Sequence, residues 1–213
     1  MCDIVVLYDG YSILRSKEEM SANCSCTLIM GKSNNIIIDT MTSWDADKIV
    51  SALKLQNLTV EDVSYVVSTH GHSDHIGNNN LFLKAKHIVG FSVSFKDTYY
   101  IHPFEEGKEY SIDENVKIIP TPGHTLTDVT VLVTSVNKET FAITGDLFEK
   151  IEDIENPTLW LEAGSEDPTQ QRINRSKVAQ LADWIVPGHG PQFKVTDEIR
   201  ESLKSQRDEN IAK

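Results

Sequence analysis

The sequence predicts an α/β fold on three observations. β-rich apolar runs alternate with helical patterns in the first half, a second strand-rich half repeats the theme, and chemistry-bearing residues follow directly after the strands. CSCTLIM (24–30) and NIIIDT (35–40) bracket the turn-forming GKSN, the pattern of a hairpin whose second strand ends on Asp39. Ser43 then caps a predicted helix with Ile49, Val50 and Leu53 at helical spacing, and VSYVVST (63–69) is the strand that delivers His70. Asp74 through Ala85 reads as a short helix or helical turn, and HIVGF (87–91) as another strand. In the second half VKIIPT (116–121), DVTVLVT (128–134) and TFAIT (140–144) are predicted strands, each followed by a turn; two of those turns carry His124 and Asp146. A helix over 168–182 is entered through Pro168 and carries Ile173, Val178 and Leu181, after which WIV leads into PGHGP. TDEIRESLKSQRDENIAK reads as a polar terminal helix that frays.

At 213 residues the expectation is one domain over 1–213. A formal net charge of −12 argues against a cationic footprint for nucleic acid or anionic membrane spread over the whole surface. No apolar run reaches the roughly 18 residues of a spanning helix, and MCDIVVLYDGYSILRS lacks a basic leader, so the chain is expected to be neither secreted nor membrane-spanning. Cys2, Cys24 and Cys26 are an odd set and read as buried reduced thiols rather than a disulfide framework.

His70, His72, Asp74, His75, His124, Asp146 and His189 all sit after strand-like runs or in glycine-containing turns at their ends. Neutral imidazoles and carboxylates converging at the rim of a sheet suit a borderline divalent ion such as zinc. In STHGHSDHIGN (68–78), His70 and His72 are two apart and share one side of an extended backbone, while Asp74 and His75 follow where the chain turns. One loop thus feeds two adjacent sites. His87 and His102 lack that context and read as ordinary surface or capping histidines.

IIIDT, THGHSDHIG, TPGHT, ITGDLF and VPGHGP, spread over residues 36–191, resemble the metallo-β-lactamase fold superfamily. That resemblance implies a four-layer αβ/βα sandwich with the metal site at the strand-end rim between two β-sheets. It implies that His70, His72 and His124 hold one metal, that Asp74, His75 and His189 hold a second, and that Asp146 bridges them. Asp39 matches a carboxylate that orients a liganding imidazole without touching metal. The implied cofactors are two Zn2+, with iron or manganese as alternatives. Such a pair, about 3.5–4 Å apart, makes hydroxide available at neutral pH and polarises the electrophile, which suits phosphodiester, thioester, lactone or lactam hydrolysis alike. Asp74 is the candidate catalytic residue, positioning or deprotonating the bridging water; no leaving-group acid is evident.

Departures from the family's branches narrow the choice. Zinc β-lactamases of the commonest type place a cysteine where Asp146 stands. The glyoxalase II type shares all seven ligands but continues into a helical domain, whereas about two dozen residues follow His189 here. Together with GDLFE, SEDP (165–168) and VPGHGPQF, the resemblance implies a compact homodimeric zinc hydrolase of cytoplasm and nucleus. Its implied activity is that of an endoribonuclease on single-stranded RNA, cleaving the 3′ ends of histone pre-mRNA. The alternative is a glyoxalase II-like hydrolase of thioesters or other small esters, and a third possibility is a metal-binding regulator without turnover. Against RNA, residues 147–167 hold seven acids and one lysine, a loop that repels phosphate if it lines the groove. For RNA there are Arg172, Arg175 and Lys177 on the late helix and the aromatics Phe91, Phe95, Tyr99, Tyr100 and Phe104. The LWL around Trp160 reads as exposed and offers a dimer contact.

Overall fold

A computed structural model describes residues 2–211. The first half supplies β1 (Asp3–Tyr8), β2 (Tyr11–Leu14), β3 (Met20–Asn23), β4 (Cys26–Met30), β5 (Asn35–Ile38), α1 (Ala46–Leu55), β6 (Tyr65–Ser68), α2 (Ser73–Ile76), β7 (Lys86–Val89), β8 (Ser92–Phe95) and β9 (Thr98–Tyr100). The second supplies β10 (Tyr110–Ser111), β11 (Val116–Pro120), β12 (Val129–Thr134), β13 (Thr140–Gly145), α3 (Thr158–Ala163), α4 (Pro168–Leu181), β14 (Trp184–Pro187), β15 (Phe193–Lys194) and α5 (Asp197–Ile211). A seven-stranded sheet runs β1-β4-β5-β6-β7-β8-β9, a six-stranded sheet runs β10 to β15 in order, and β2 pairs with β3 in a separate hairpin.

The period-two alternation of strand side chains builds the layers. From β4 and β5, Leu28 and Ile37 pack with Ile49 and Leu53 of α1, while Ile29, Ile36 and Ile38 point the other way. There they meet Ile118, Val131, Val133 and Ile143 of the six-stranded sheet. On the far face of that sheet Ile119, Leu132, Ala142 and Ile185 pack with Val178 and Ala179 of α4 and Leu203 of α5. The order is helix, sheet, sheet, helices: the expected four-layer αβ/βα sandwich. Each fully buried Leu, Ile or Val contributes about 1.5–3 kcal/mol relative to exposure.

Most pairings are antiparallel, but β5–β6–β7 and β13–β14 are parallel, with α1 and α4 lying in the crossovers. Parallel strands finish at the same edge. Asp39 follows β5, His70 lies just past β6, Asp146 follows β13 and His189 lies just past β14, so four functional side chains reach one rim.

Several local expectations change. Ser43 does not cap α1: Asp45 takes the cap position, and its carboxylate is held by Thr42 (2.5 Å), Asn23 (2.8 Å) and Lys48 (2.6 Å). The helix predicted from Asp74 to Ala85 is a single turn followed by a short 3-10 segment. It stops because Gly77 N–H donates to the Met41 carbonyl, and the Asn78 amide donates to the carbonyls of Thr40 (2.6 Å) and Thr42 (2.7 Å), which pins the chain against another loop. Pro168 does open α4, with Asp167 accepting the Gln170 N–H at 2.9 Å. Trp160 is buried, not exposed, and Arg175 is buried with it. The three cysteines are buried and free, as expected. The terminal helix is α5; residues 212–213 of its expected frayed end lie outside the described residues.

Candidate metal centre

The chain leaves β6 through Thr69 and places His70, His72, Asp74 and His75 within one loop and the short helix α2. His124 comes from the turn between β11 and β12, Asp146 from the end of β13 and His189 from the turn after β14. All seven sequence-predicted donors meet. On one side, donor atoms of His70, His72, His124 and Asp146 lie within 4.8 Å of one another. His72 Nδ1 is 2.9 Å from His70 Nε2 and 3.1 Å from His124 Nε2, and Asp146 Oδ2 is 3.4 Å from His124 Nε2. On the other side Asp74, His75 and His189 form a second such group. His75 Nε2 lies 3.2 Å from Asp146 Oδ1, and His189 Nε2 lies 3.3 Å from Asp146 Oδ2. Asp146 therefore stands between the two groups.

The imidazoles are aimed by their other nitrogens. His124 Nδ1 lies 2.7 Å from the Gly164 carbonyl, and His189 Nδ1 lies 3.0 Å from the Asn23 and 3.2 Å from the Tyr11 carbonyl. Carbonyls only accept, so Nδ1 carries a proton and each ring turns Nε2 inward, where a lone pair is free once the ring is neutral. Asp39 accepts from His75 Nδ1 at 3.0 Å and from Thr69 N–H at 2.8 Å, which places the expected imidazole-orienting carboxylate on His75. To do so Asp39 adopts φ 55, the left-handed region that most residues avoid.

Glycines make room. Gly145 has φ +51, and a β-carbon there would run into the Thr69 side chain; one at Gly188 would overlap the Asp146 carboxylate. The helix α4 holds the same turn from behind: Gln171 Nε2 donates to the Asp146 carbonyl (3.0 Å) and Arg175 Nη1 to the Leu147 carbonyl (2.8 Å). Arg175 also pairs with Asp153 (2.5 Å), whose carboxylate accepts the Glu149 N–H (2.8 Å).

Electrostatics separate the two sides. Burial, then the charge on His75, pushes His70 well below the ordinary histidine range, and burial pushes His124 down. Burial works against protons on His75 and His189 too, but Asp146 overrides it, helped by Asp39 at His75, and carries His75 well up and His189 up to about 9. Asp146 is held well below the usual carboxylate range against its burial by His75 and His189.

The donor set fits a divalent cation. His75 Nε2 and Asp146 Oδ1 are buried, face each other and are not in hydrogen-bonding geometry, so both are left without a partner in the protein. Buried polar atoms are seldom left so, and a cation between them satisfies both. Sequence reasoning missed Glu149, Asp153 and Gln171, and read Arg175 as a cation for RNA where it instead braces this turn. Glu149 closes a third donor group with Asp146 and His189. His87 and His102 stay apart, the first against the Phe82 carbonyl and the second against the Lys108 carbonyl and the Phe104 ring.

The sequence pattern of the metallo-beta-lactamase superfamily matches residues 22–189. The chain belongs to that superfamily. It is 38% identical over 192 residues to metallo-beta-lactamase domain-containing protein 1 of Xenopus laevis, covering 89% of this chain and 80% of that protein. The mouse protein of the same name is 37% identical over 175 residues, covering 81% of this chain and 65% of its own length. The chain thus spans between 65% and 80% of these relatives. Among solved structures, an N-acyl homoserine lactone hydrolase with the product N-hexanoyl-L-homoserine bound at its catalytic metal center superposes with a TM-score of 0.63 at 16% identity, over 89% of this chain and 92% of that one. The metallo-beta-lactamase fold and a metal-dependent hydrolase class follow for this chain.

Proposed function

We propose that the chain is a dinuclear zinc hydrolase that cleaves RNA phosphodiester bonds. The observation that carries the dinuclear part is the sharing of one buried carboxylate, Asp146, by two donor groups. His70, His72 and His124 would hold one ion, and Asp74, His75 and His189 the other. Bound there, two such ions supply an acidified water and polarise the scissile group. Asp74 is one-fifth exposed at the open side of the site and is the residue to position that water and take its proton. Asp39 and the carbonyls of Tyr11, Asn23 and Gly164 keep the imidazoles aimed. Iron or manganese are the alternative ions.

RNA as substrate rests on the resemblance carried by the sequence motifs GDLFE, SEDP and VPGHGPQF. The same likeness supports a 3′-end cleavage of single-stranded histone pre-mRNA, a homodimer, and a place in cytoplasm and nucleus. No helix among the described residues is long and apolar enough to cross a membrane. Of the cations nominated for an RNA path, Arg175 is withdrawn into its pair with Asp153 and Arg172 stacks on Trp160, leaving Lys177 exposed.

A specific feature favours the second reading, a thioester or other small-molecule ester hydrolase. A cavity of about 220 Å³ is lined by Leu14, Met20, Leu159 and Ala163 with Ser12, Glu149, Lys150 and Glu162, and Glu149 links it to His189. A mostly apolar wall carrying two acids against one lysine accepts an uncharged acyl group more readily than a phosphate backbone. Both readings are tested by assaying one zinc-loaded preparation against a single-stranded histone pre-mRNA 3′ fragment, a glutathione thioester and an acyl lactone. RNA cleavage abolished by Asp74→Ala supports the first reading. RNA cleavage that survives the substitution, or turnover of the small esters alone, overturns it.

A further inference from the structure

Glu149 is not among the residues assigned to either ion, yet its surroundings resemble those of a ligand. Its side chain is 4% exposed, and Oε2 lies 4.0 Å from His189 Nε2. Donor atoms of Glu149, His189 and Asp146 all fall within 4.8 Å of one another. Among the described residues its carboxylate accepts no hydrogen bond, and its other neighbours across the adjoining cavity include Leu14, Met20 and Leu159. The backbone here is fixed at both ends of the residue: Glu149 N–H is bound by Asp153, and the Glu149 carbonyl accepts the His189 N–H at 2.8 Å. A carboxylate this buried, with its donor atoms beside those of Asp146 and His189, is placed to reach a cation held there.

We infer that Glu149 is a further metal donor on the His189 side, which makes that side carboxylate-rich and gives it a greater relative affinity for hard divalent ions such as manganese. The inference rests on the dinuclear reading above. The first side offers three imidazoles and the shared Asp146, a set suited to zinc; the second offers His75 and His189 with Asp74, Asp146 and Glu149. Carboxylates suit manganese and magnesium, imidazoles suit zinc. Zinc remains the tighter binder at either side by the general order of divalent ions, so Glu149 acts on the ratio.

The test uses chelator-stripped full-length chain, titrated calorimetrically with Zn2+ and separately with Mn2+, in wild type, Glu149→Gln and His189→Ala. Thermal unfolding is recorded with and without metal. Glu149→Gln is expected to weaken the second equivalent by about 10-fold or more, more for Mn2+ than for Zn2+, with the first equivalent unchanged. Metal-free Glu149→Gln should melt close to wild type, because the side chain makes no hydrogen bond that the amide would lose, and should gain less on metal addition. A second equivalent of wild-type affinity overturns the inference. So does a lower metal-free midpoint with an unchanged gain on loading, which assigns Glu149 a structural role. If wild type takes up a single equivalent and His189→Ala binds as wild type does, the dinuclear reading fails and takes this inference with it.

Discussion

On one side of Asp146 stand three imidazoles; on the other, two imidazoles share the space with Asp74 and Glu149. The first side is the more neutral. His70 and His124 are kept below the ordinary histidine range by burial, and His72 reaches the surface. The second side sits on the Asp39 carboxylate and on main-chain carbonyls, and protons on His75 and His189 balance Asp146 there. The contrast teaches that positive charge is wanted on the second side before any ion arrives. A cation entering that side displaces protons; one entering the first side meets lone pairs already free.

Removing the shared group breaks the comparison outright. Asp146→Ala should reduce bound metal on both sides and bring hydrolysis to background, a loss on the order of 10³-fold or more for a metal-supplied nucleophile, read by metal analysis and steady-state rates. The pin behind the turn comes next. Asp153→Ala leaves Arg175 buried and unpaired and should lower stability by about 3–5 kcal/mol, read by urea unfolding, with both sides loosened together.

Asp39→Asn sharpens the contrast because Asp39 pairs directly with His75 and reaches His70 only through Thr69. It should weaken the second side by about 10 to 100-fold and spare the first, as read by zinc competition. The pH dependence has a defined sign: His189, held up to about 9 by Asp146 despite burial, is protonated at neutral pH without metal. Second-side affinity should therefore climb as pH rises towards 9 while the first side changes little, checked by titration in buffers of different ionisation enthalpy. The smallest effect is at the α4 cap, where Asp167→Ala should cost about 1 kcal/mol by thermal unfolding and loosen both sides equally.

The seven donors and Asp39 were legible because each is a polar residue set past an apolar run or in the turn at its end, a position that a sandwich core has no use for. The layers were legible from alternation, as with Leu28 and Ile29 taking opposite faces. Glu149 was not, since one acid among seven in residues 147–167 carries no mark of being turned inward. Only the pin of Asp153 on Arg175 turns it, and that pair lies 22 positions apart in the chain. Trp160 was misread for the same reason: its burial comes from α4, through Arg172 and Arg175 stacked on its ring. The length of α2 depended on Gly77 meeting Met41, a contact between segments that no local pattern contains.

The carbonyls that aim His124 and His189 belong to Gly164, Asn23 and Tyr11, and a carbonyl is the one acceptor that every amino acid carries. Sequence drift at Tyr11 that preserves the β2–β3 hairpin therefore leaves the aim of His189 untouched. The rim around the metals is free to diversify toward new substrates while the alignment of these two rings is inherited through the main chain.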